Sequence, residues 1–354
     1  MVVAYPIDFE IGIFSSPNLI DWTPESNVSH IGLTELQYEC PNMVELRVDG
    51  GEDNDTRWVL LISINPGAPL GGSITEYFIG DFNGTHFVPL DATTRLTDFA
   101  KDNYAGQFFY GIDADQDQIS INWASNWQYT NNVPTAGKEI GDGFRSTMSV
   151  ARGHYLKELP RQGLALISYP LDIASVVESE LARNYSLGNG TVFVDYSNVQ
   201  SGALYFEAKI TGLTDSASLE GAINFKFLSS ASGESISGGT YVSGDVWLDR
   251  GRTNGFSNPY FNDKFSQTGI YREELGEWRI SGIVDRSIIE IFLNDGELSA
   301  SSVFFPSSPL DMMVLTVSGM NETAIASLGV WSLRAVWEEK GDVNGTVLGN
   351  VTIT

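Results

Sequence analysis

The chain has 354 residues, enough for one large or two medium domains, and 42% of them are hydrophobic, enough for a packed core. Acidic residues outnumber basic ones 45 to 20, a net charge of -25 with no basic cluster, which argues against nucleic acid and anionic membrane as partners. One cysteine rules out an internal disulfide framework, and three separated histidines (His30, His86, His154) give no zinc-site spacing.

Taken in chain order, helical periodicity is scarce. Short runs rich in Val, Ile, Phe, Tyr and Trp alternate with Gly, Asn and Asp, so the fold class is all-β. The opening "MVVAYPIDFEIG" has neither a basic start nor a long apolar stretch and does not read as a signal peptide. In "LQYECPNMVE" (36–45), alternation puts Tyr38 and Cys40 on one side of an extended segment and Gln37 and Glu39 on the other. Cys40 is read as a small buried hydrophobe aimed away from Glu39. "RWVLLISIN" (57–65) is a buried strand, and "NPGAPLGGS" (65–73) a tight loop between strands, since it lacks the G-K-[ST] of a phosphate loop. "SITEYFIGDFNGTHFVPL" (73–90) is a hairpin, with Asn83-Gly84 supplying the two positive-φ residues of a type I′ turn. "QISINWA" (118–124) and "TMSVARGHYLKEL" (147–159) are further strands. Sheets recurring at roughly 45 residues match the size of a propeller blade.

"LDIASVVESELA" (171–182) carries apolar residues at 171, 173, 176, 177 and 181 after Pro170 and is the expected helix, in a linker spanning 169–183. Beyond it, alternating runs at 202–210, 222–229, 244–251, 278–296 and 301–308 predict a β-sandwich over 184–354, with Asn294-Asp295-Gly296 as a hairpin turn. Eight N-x-S/T sequons, at Asn27, Asn54, Asn83, Asn184, Asn189, Asn321, Asn344 and Asn350, are candidate glycosylation sites and point to a secreted protein. A secreted chain without a leader, holding only three to four blades, is expected to lack its front.

Five stretches carry a family resemblance: "YECPNMVEL" (38–46), "LLISINPGAPLGGS" (60–73), "GDFNGTHF" (80–87), "DFAKDNYAGQFF" (98–109) and "NWASNWQY" (122–129). In order and spacing the chain resembles the fungal invertases, β-fructofuranosidases with a five-bladed propeller and an attached β-sandwich. "WLDRG" (247–251) and "VDRSIIEIFLNDG" (284–296) are similar to that family's sandwich. The resemblance implies an incomplete propeller over 1–168 followed by the sandwich. It also implies retaining hydrolysis of sucrose and related β-fructosides, with Glu39 of E-C-P as general acid/base. The family's nucleophilic Asp lies in an N-D-P motif and a fructose-holding Asp in an R-D-P motif. Neither occurs in these 354 residues, so the nucleophile is not in this chain and the chain alone is expected to be inactive.

Family position makes Asp98, Asp102 and Tyr104 pocket-lining candidates. Asn126 and Trp127 are read as rim residues for the non-fructosyl sugar, because aromatic faces stack on sugars and amides reach hydroxyls. The two-carboxylate chemistry calls for no cofactor and no metal. The resemblance further implies a homo-oligomer, a dimer or larger, and an extracellular or vacuolar location. A fructosyltransferase or exo-inulinase variant is a near alternative. A non-catalytic carbohydrate-binding protein derived from an invertase is the alternative from another class.

Overall fold

The computed structural model describes residues 1–34, 36–51, 55–132, 146–160, 162–212, 221–261, 264–268, 277–321, 324–336 and 351–353, the last three as backbone only. The sequons at Asn54, Asn344 and Asn350 lie outside the described residues. Two units separate: one of Met1–Asn131, Ser146–Leu171 and Ser299–Ser301, the other of 172–298 and the chain from 302.

In the first unit the strands are β1 (Val2–Tyr5), β2 (Glu10–Ser15), β3 (Thr23–Ser29), β4 (Tyr38–Asp49), β5 (Thr56–Ile64), β6 (Ile74–Phe82), β7 (Phe87–Pro89), β8 (Arg95–Leu96), β9 (Tyr104–Phe108), β10 (Gln118–Ala124), β11 (Thr147–Met148), β12 (Arg152–Leu159) and β13 (Gly163–Pro170). They form three antiparallel groups, β1–β3, β4–β8 and β9–β13, the last two joined by a short parallel pairing of β4 with β12. β5 shows why its sequence is apolar without alternation. Its Leu60, Ile62 and Ile64 pack with Ile11, Ile13 and Val28 of the first group. Its Val59 and Leu61 pack on the other side with Leu156 and Leu166 of the third. A strand covered on both faces needs apolar residues at every position. Each such side chain contributes about 1.5–3 kcal/mol by leaving water.

The second unit holds β14 (Val177–Leu187), β15 (Gly190–Asp195), β16 (Ala203–Thr211), β17 (Ala222–Leu228), β18 (Ser235–Tyr241), β19 (Asp245–Arg252), β20 (Lys264–Thr268), β21 (Glu277–Asp285), β22 (Ile288–Leu293), β23 (Leu298–Val303), β24 (Met312–Ser318), β25 (Ile325–Leu333) and β26 (Val351–Ile353). They make a six-stranded sheet, β14-β25-β16-β21-β22-β23, and a seven-stranded one, β20-β19-β18-β17-β24-β15-β26. The period-two burial of β16 and β17 brings Phe206 against Phe225 and Phe227, with ring centroids 5.1 and 5.7 Å apart. This alternation is that of a sandwich, one face to the core and one to solvent.

Two local expectations are corrected. No helix spans 171–182: a single 3₁₀ turn at Ile173–Ser175 follows Asp172, whose φ is +48°, and Val177 then opens β14. β14 pairs with β25 through three register shifts, which scramble the period of two that marks a strand. At the 73–90 hairpin, Phe82 pairs with Phe87, so four residues rather than two make the connection. Only Gly84 has positive φ (+98°), and the Asn83 side chain accepts the N–H groups of Thr85 and His86 at 3.0 and 2.8 Å. An Asn side chain standing in for a backbone carbonyl removes the need for a type I′ geometry. The Asn294-Asp295-Gly296 turn has positive φ at all three residues, as its composition predicts.

Candidate active site

β4 starts at Tyr38, whose ring is sealed in the core, edge-on to Phe9 at 5.5 Å, and whose hydroxyl donates to the Ile31 carbonyl. Alternation then turns Glu39 outward to a half-buried position. The next residue breaks the pattern. Glu39 pairs with Ser63 and Asn42 with Leu61, so β4 carries one residue more than β5 between those pairs. Cys40, with φ +43°, sits in this bulge. The bulge corrects the expectation of a buried Cys40: its side chain is exposed rather than sharing Tyr38's side. Pro41 has no N–H to lose, so the bulge leaves no ladder donor stranded there.

Glu39 accepts two hydrogen bonds from neutral donors. Gln37 Nε2 donates to Oε1 and the Tyr104 hydroxyl to Oε2. Burial pushes the Glu39 carboxyl above the ordinary glutamate value. The Cys40 thiol is raised too, first by burial and then by the charge of Glu39.

Tyr104 reaches Glu39 because β9 is fastened to the β4 bulge. Gln107 Nε2 donates to the Cys40 carbonyl and Phe108 N to Asn42 Oδ1, both at 3.3 Å. β9 passes close to β10, where a Cβ on Gly106 would lie 1.6 Å from Asn122 Oδ1, so glycine is required there. Tyr104 also begins a row of rings. Trp123 lies edge-on to Tyr104 at 6.0 Å, and Trp127 lies against Trp123 at 5.2 Å with 43% of its surface exposed. Met148, also exposed, pairs with Trp123 in register.

The other expected pocket residues are placed differently. Asp98 is buried, accepting the N–H groups of Ala100 and Ser301 at 2.9 Å each and facing the Arg152 guanidinium at 3.4 Å. Arg152 in turn donates to the hydroxyls of Ser299 and Ser301 at 3.1 and 2.6 Å. Asp102 is fully buried and accepts the Tyr129 hydroxyl. Asn126 is fully buried and works as a staple: Nδ2 donates to the carbonyls of Gly71, Ser73 and Lys101 at 3.2, 3.0 and 3.1 Å. Its Oδ1 accepts Gln128 N at 2.9 Å. The structure thus gathers Glu39 and Tyr104 at one point, continues the row to Trp127, and turns Asp98, Asp102 and Asn126 inward. The sequence reading placed Gln37 on Glu39's side of the chain but gave it no role there. Gln107 and Asn42 gave no signal, because their role depends on the bulge.

Of the described sequons, Asn27, Asn83 and Asn189 are exposed and Asn184 and Asn321 half-buried. The Asn189 amide is already committed to Met320, donating to its carbonyl at 3.1 Å and accepting its N–H at 2.8 Å.

Residues 1–170 match the model of the glycosyl hydrolases family 32 N-terminal domain, and residues 198–332 that of the family 32 C-terminal domain. The chain belongs to glycosyl hydrolase family 32. It is 34% identical to the invertase of Schizosaccharomyces pombe over 95% of this chain, and 36% identical to the extracellular exo-inulinase of Meyerozyma guilliermondii over 86%. The chain spans 58% and 59% of the lengths of those two relatives. A solved β-fructofuranosidase of Schwanniomyces occidentalis, complexed with fructosyl-erythritol, superposes with a TM-score of 0.82 at 28% identity. That match covers 95% of this chain and 67% of that one. The fold class is that of these enzymes, propeller blades followed by a β-sandwich.

Proposed function

We propose that this chain carries the general acid/base of a retaining β-fructofuranosidase acting on sucrose and related β-fructosides, with Glu39 in that role. The observation that supports it is a half-buried carboxyl whose proton affinity is raised by burial and whose oxygens are oriented by Gln37 and Tyr104. Such a group starts the reaction protonated and gives its proton to the glycosidic oxygen as the bond to fructose breaks. The resulting carboxylate then takes a proton from the water that releases fructose from the enzyme. Retention requires a second carboxyl about 5–5.5 Å away to hold the fructosyl group in between. N-D-P and R-D-P are absent from these 354 residues, and no residue here is given the nucleophile's role.

Glycosidase relatives named for invertase and exo-inulinase activity favour this reading. The relative described as extracellular and the exposed sequons support secretion. A homo-oligomer is part of the same proposal. Whether water or a second sugar takes the fructosyl group divides hydrolase from transferase, and the Trp123–Trp127 row is where that choice would act. The binding-protein reading rests on the missing motifs.

The test uses a chimera in which this chain replaces the matching part of the longer Schizosaccharomyces pombe invertase. Glu39→Ala should lower sucrose turnover by about 10²–10⁴-fold. An aryl fructoside with a good leaving group should suffer less, and azide should partly restore its turnover. Sucrose hydrolysis by the alanine variant at the parent's rate would overturn the assignment. A chimera that binds fructosides but never cleaves them would support the binding-protein reading.

A further inference from the structure

Glu76 has no exposed surface and takes no part in the chemistry above. It stands on β6 opposite Ile62 of β5 and Leu96 of β8. Its Oε2 accepts the Leu33 N–H at 2.9 Å, while its Oε1 has no partner among the described residues. The turn before Leu33 is shaped to that carboxyl. Gly32 has φ +72°, and a Cβ there would lie 2.4 Å from Oε2. The same turn is held from β4, where the Tyr38 hydroxyl donates to the Ile31 carbonyl. Residues 31–33 are thus gripped from two strands, and Gln37 and Glu39 follow Leu33 by four and six residues in the sequence.

We propose that Glu76 is a positioning residue for Glu39, holding the 31–33 turn in its protonated, neutral form. The functional consequence rests on the reading of Glu39 as acid/base; the holding itself does not. Among the described residues the groups facing the carboxyl are neutral: Ile62 on β5, Phe78 two residues along β6, Leu96 on β8, Gly32 and Leu33 in the turn. The titratable neighbour is Tyr38 on β4, whose phenol is pushed up to about 12, by burial first and by Glu76 second. His30, just before the turn, packs on Phe9 with ring centroids 6.0 Å apart.

A single backbone N–H does not offset the hydration an ionised carboxylate gives up on burial. Burial accordingly lifts Glu76 from 4.5 to about 7, against the weaker opposing pull of the Leu33 N–H. The protonated acid keeps its acceptor oxygen for Leu33 at much smaller cost. A folded value above the unfolded one means the folded chain holds this proton more tightly. The stabilisation is therefore complete below pH 4.5 and lost as pH rises through about 7.

The experiment uses the 354-residue chain as wild type, Glu76→Gln and Glu76→Leu. Thermal midpoints are followed from about pH 4.5 to about 8, with hydrogen–deuterium exchange of peptides covering 31–39. Wild type and Glu76→Gln should melt together at the acid end, move apart as pH rises from about 4.5 and reach their full separation by about pH 7, the glutamine variant melting higher. The background of other carboxylates is common to both and cancels in the difference. Peptides reaching Glu39 should lose protection in wild type, relative to Glu76→Gln, over the same rise. Glu76→Leu, which cannot accept the Leu33 N–H, should melt below Glu76→Gln at every pH; if it does not fold, the first pair still decides. Parallel midpoints for wild type and Glu76→Gln would overturn the role of the proton. Exchange that changes at 31–33 but not at 37–39 would overturn the positioning of Glu39. Neither readout uses turnover, so a failure of the Glu39 assignment shows separately, in the chimera.

Discussion

Glu39 and Asp98 both lie in the first unit, and the protein holds them in opposite ways. Asp98 is sealed from solvent, with two backbone N–H groups, a hydroxyl and the Arg152 guanidinium around it. Glu39 is half-buried and has two neutral donors, Gln37 and Tyr104. Among the described residues no cation offsets the hydration Glu39 loses, so burial decides and the carboxyl keeps its proton to higher pH. A carboxylate locked to a buried guanidinium cannot gain and lose a proton without breaking the structure around it. One residue is therefore suited to proton transfer and the other to holding the fold, and the difference lies in their partners rather than in residue type.

The sharpest way to break that comparison is stability. Asp98→Ala leaves the Arg152 guanidinium buried beside a gap, which should cost about 3–5 kcal/mol. Glu39→Gln replaces a half-buried carboxyl whose described partners, Gln37 and Tyr104, are neutral, and should change stability by less than about 1 kcal/mol. Urea unfolding of the 354-residue chain measures both. Equal losses would mean that Glu39, like Asp98, is a structural carboxylate.

The reach of the sequence follows the same division. β5 and β10 were legible because their apolar pattern is local, and Asn294-Asp295-Gly296 because its backbone demand is met by the residues themselves. Glu39 and Tyr104 were singled out through the motifs that carry them, and the structure joins them by a hydrogen bond. Asp98 was read as pocket-lining because its partners are remote: Arg152 is 54 residues away and Ser301 is 203. Cys40 and the 171–182 segment were misread for one reason. A bulge adds a residue to one strand only, so the period that marks a strand fails just where the backbone does something unusual. Asn126 and Trp127 show the limit most plainly, since adjacent polar and aromatic residues took opposite sides of one loop.

A smaller effect tests the neutral donors around Glu39. A hydrogen bond to a carboxylate favours its charged form, so Tyr104→Phe should raise the Glu39 carboxyl further. As the proposed acid, Glu39 would start protonated, and the alkaline limb of kcat/KM in the chimera should move up, by roughly one pH unit or less. A downward move would mean that Tyr104 supports the protonated acid instead, and that the contrast with Asp98 is one of degree.

The smallest effect belongs to the far end of the aromatic row. Trp127 is 43% exposed while its neighbour Asn126 is fully buried and spent on three carbonyls, so the loop is fixed by one residue and presents the other. Because Asn126 sets the loop, removing the indole should leave the fold intact, and the melting midpoint of Trp127→Ala should match wild type. Losing one aromatic face should cost about 0.5–1.5 kcal/mol of contact with the leaving-group sugar. In the chimera that would appear as a KM for sucrose raised roughly 2–10-fold, with the cleavage step itself unaffected. At high sucrose the same loss should shift product from fructosyl transfer towards hydrolysis, since the acceptor sugar would bind on the leaving-group side. An unchanged KM with an unchanged ratio would show that the row from Tyr104 ends at Trp123, and that Trp127 faces solvent without meeting substrate.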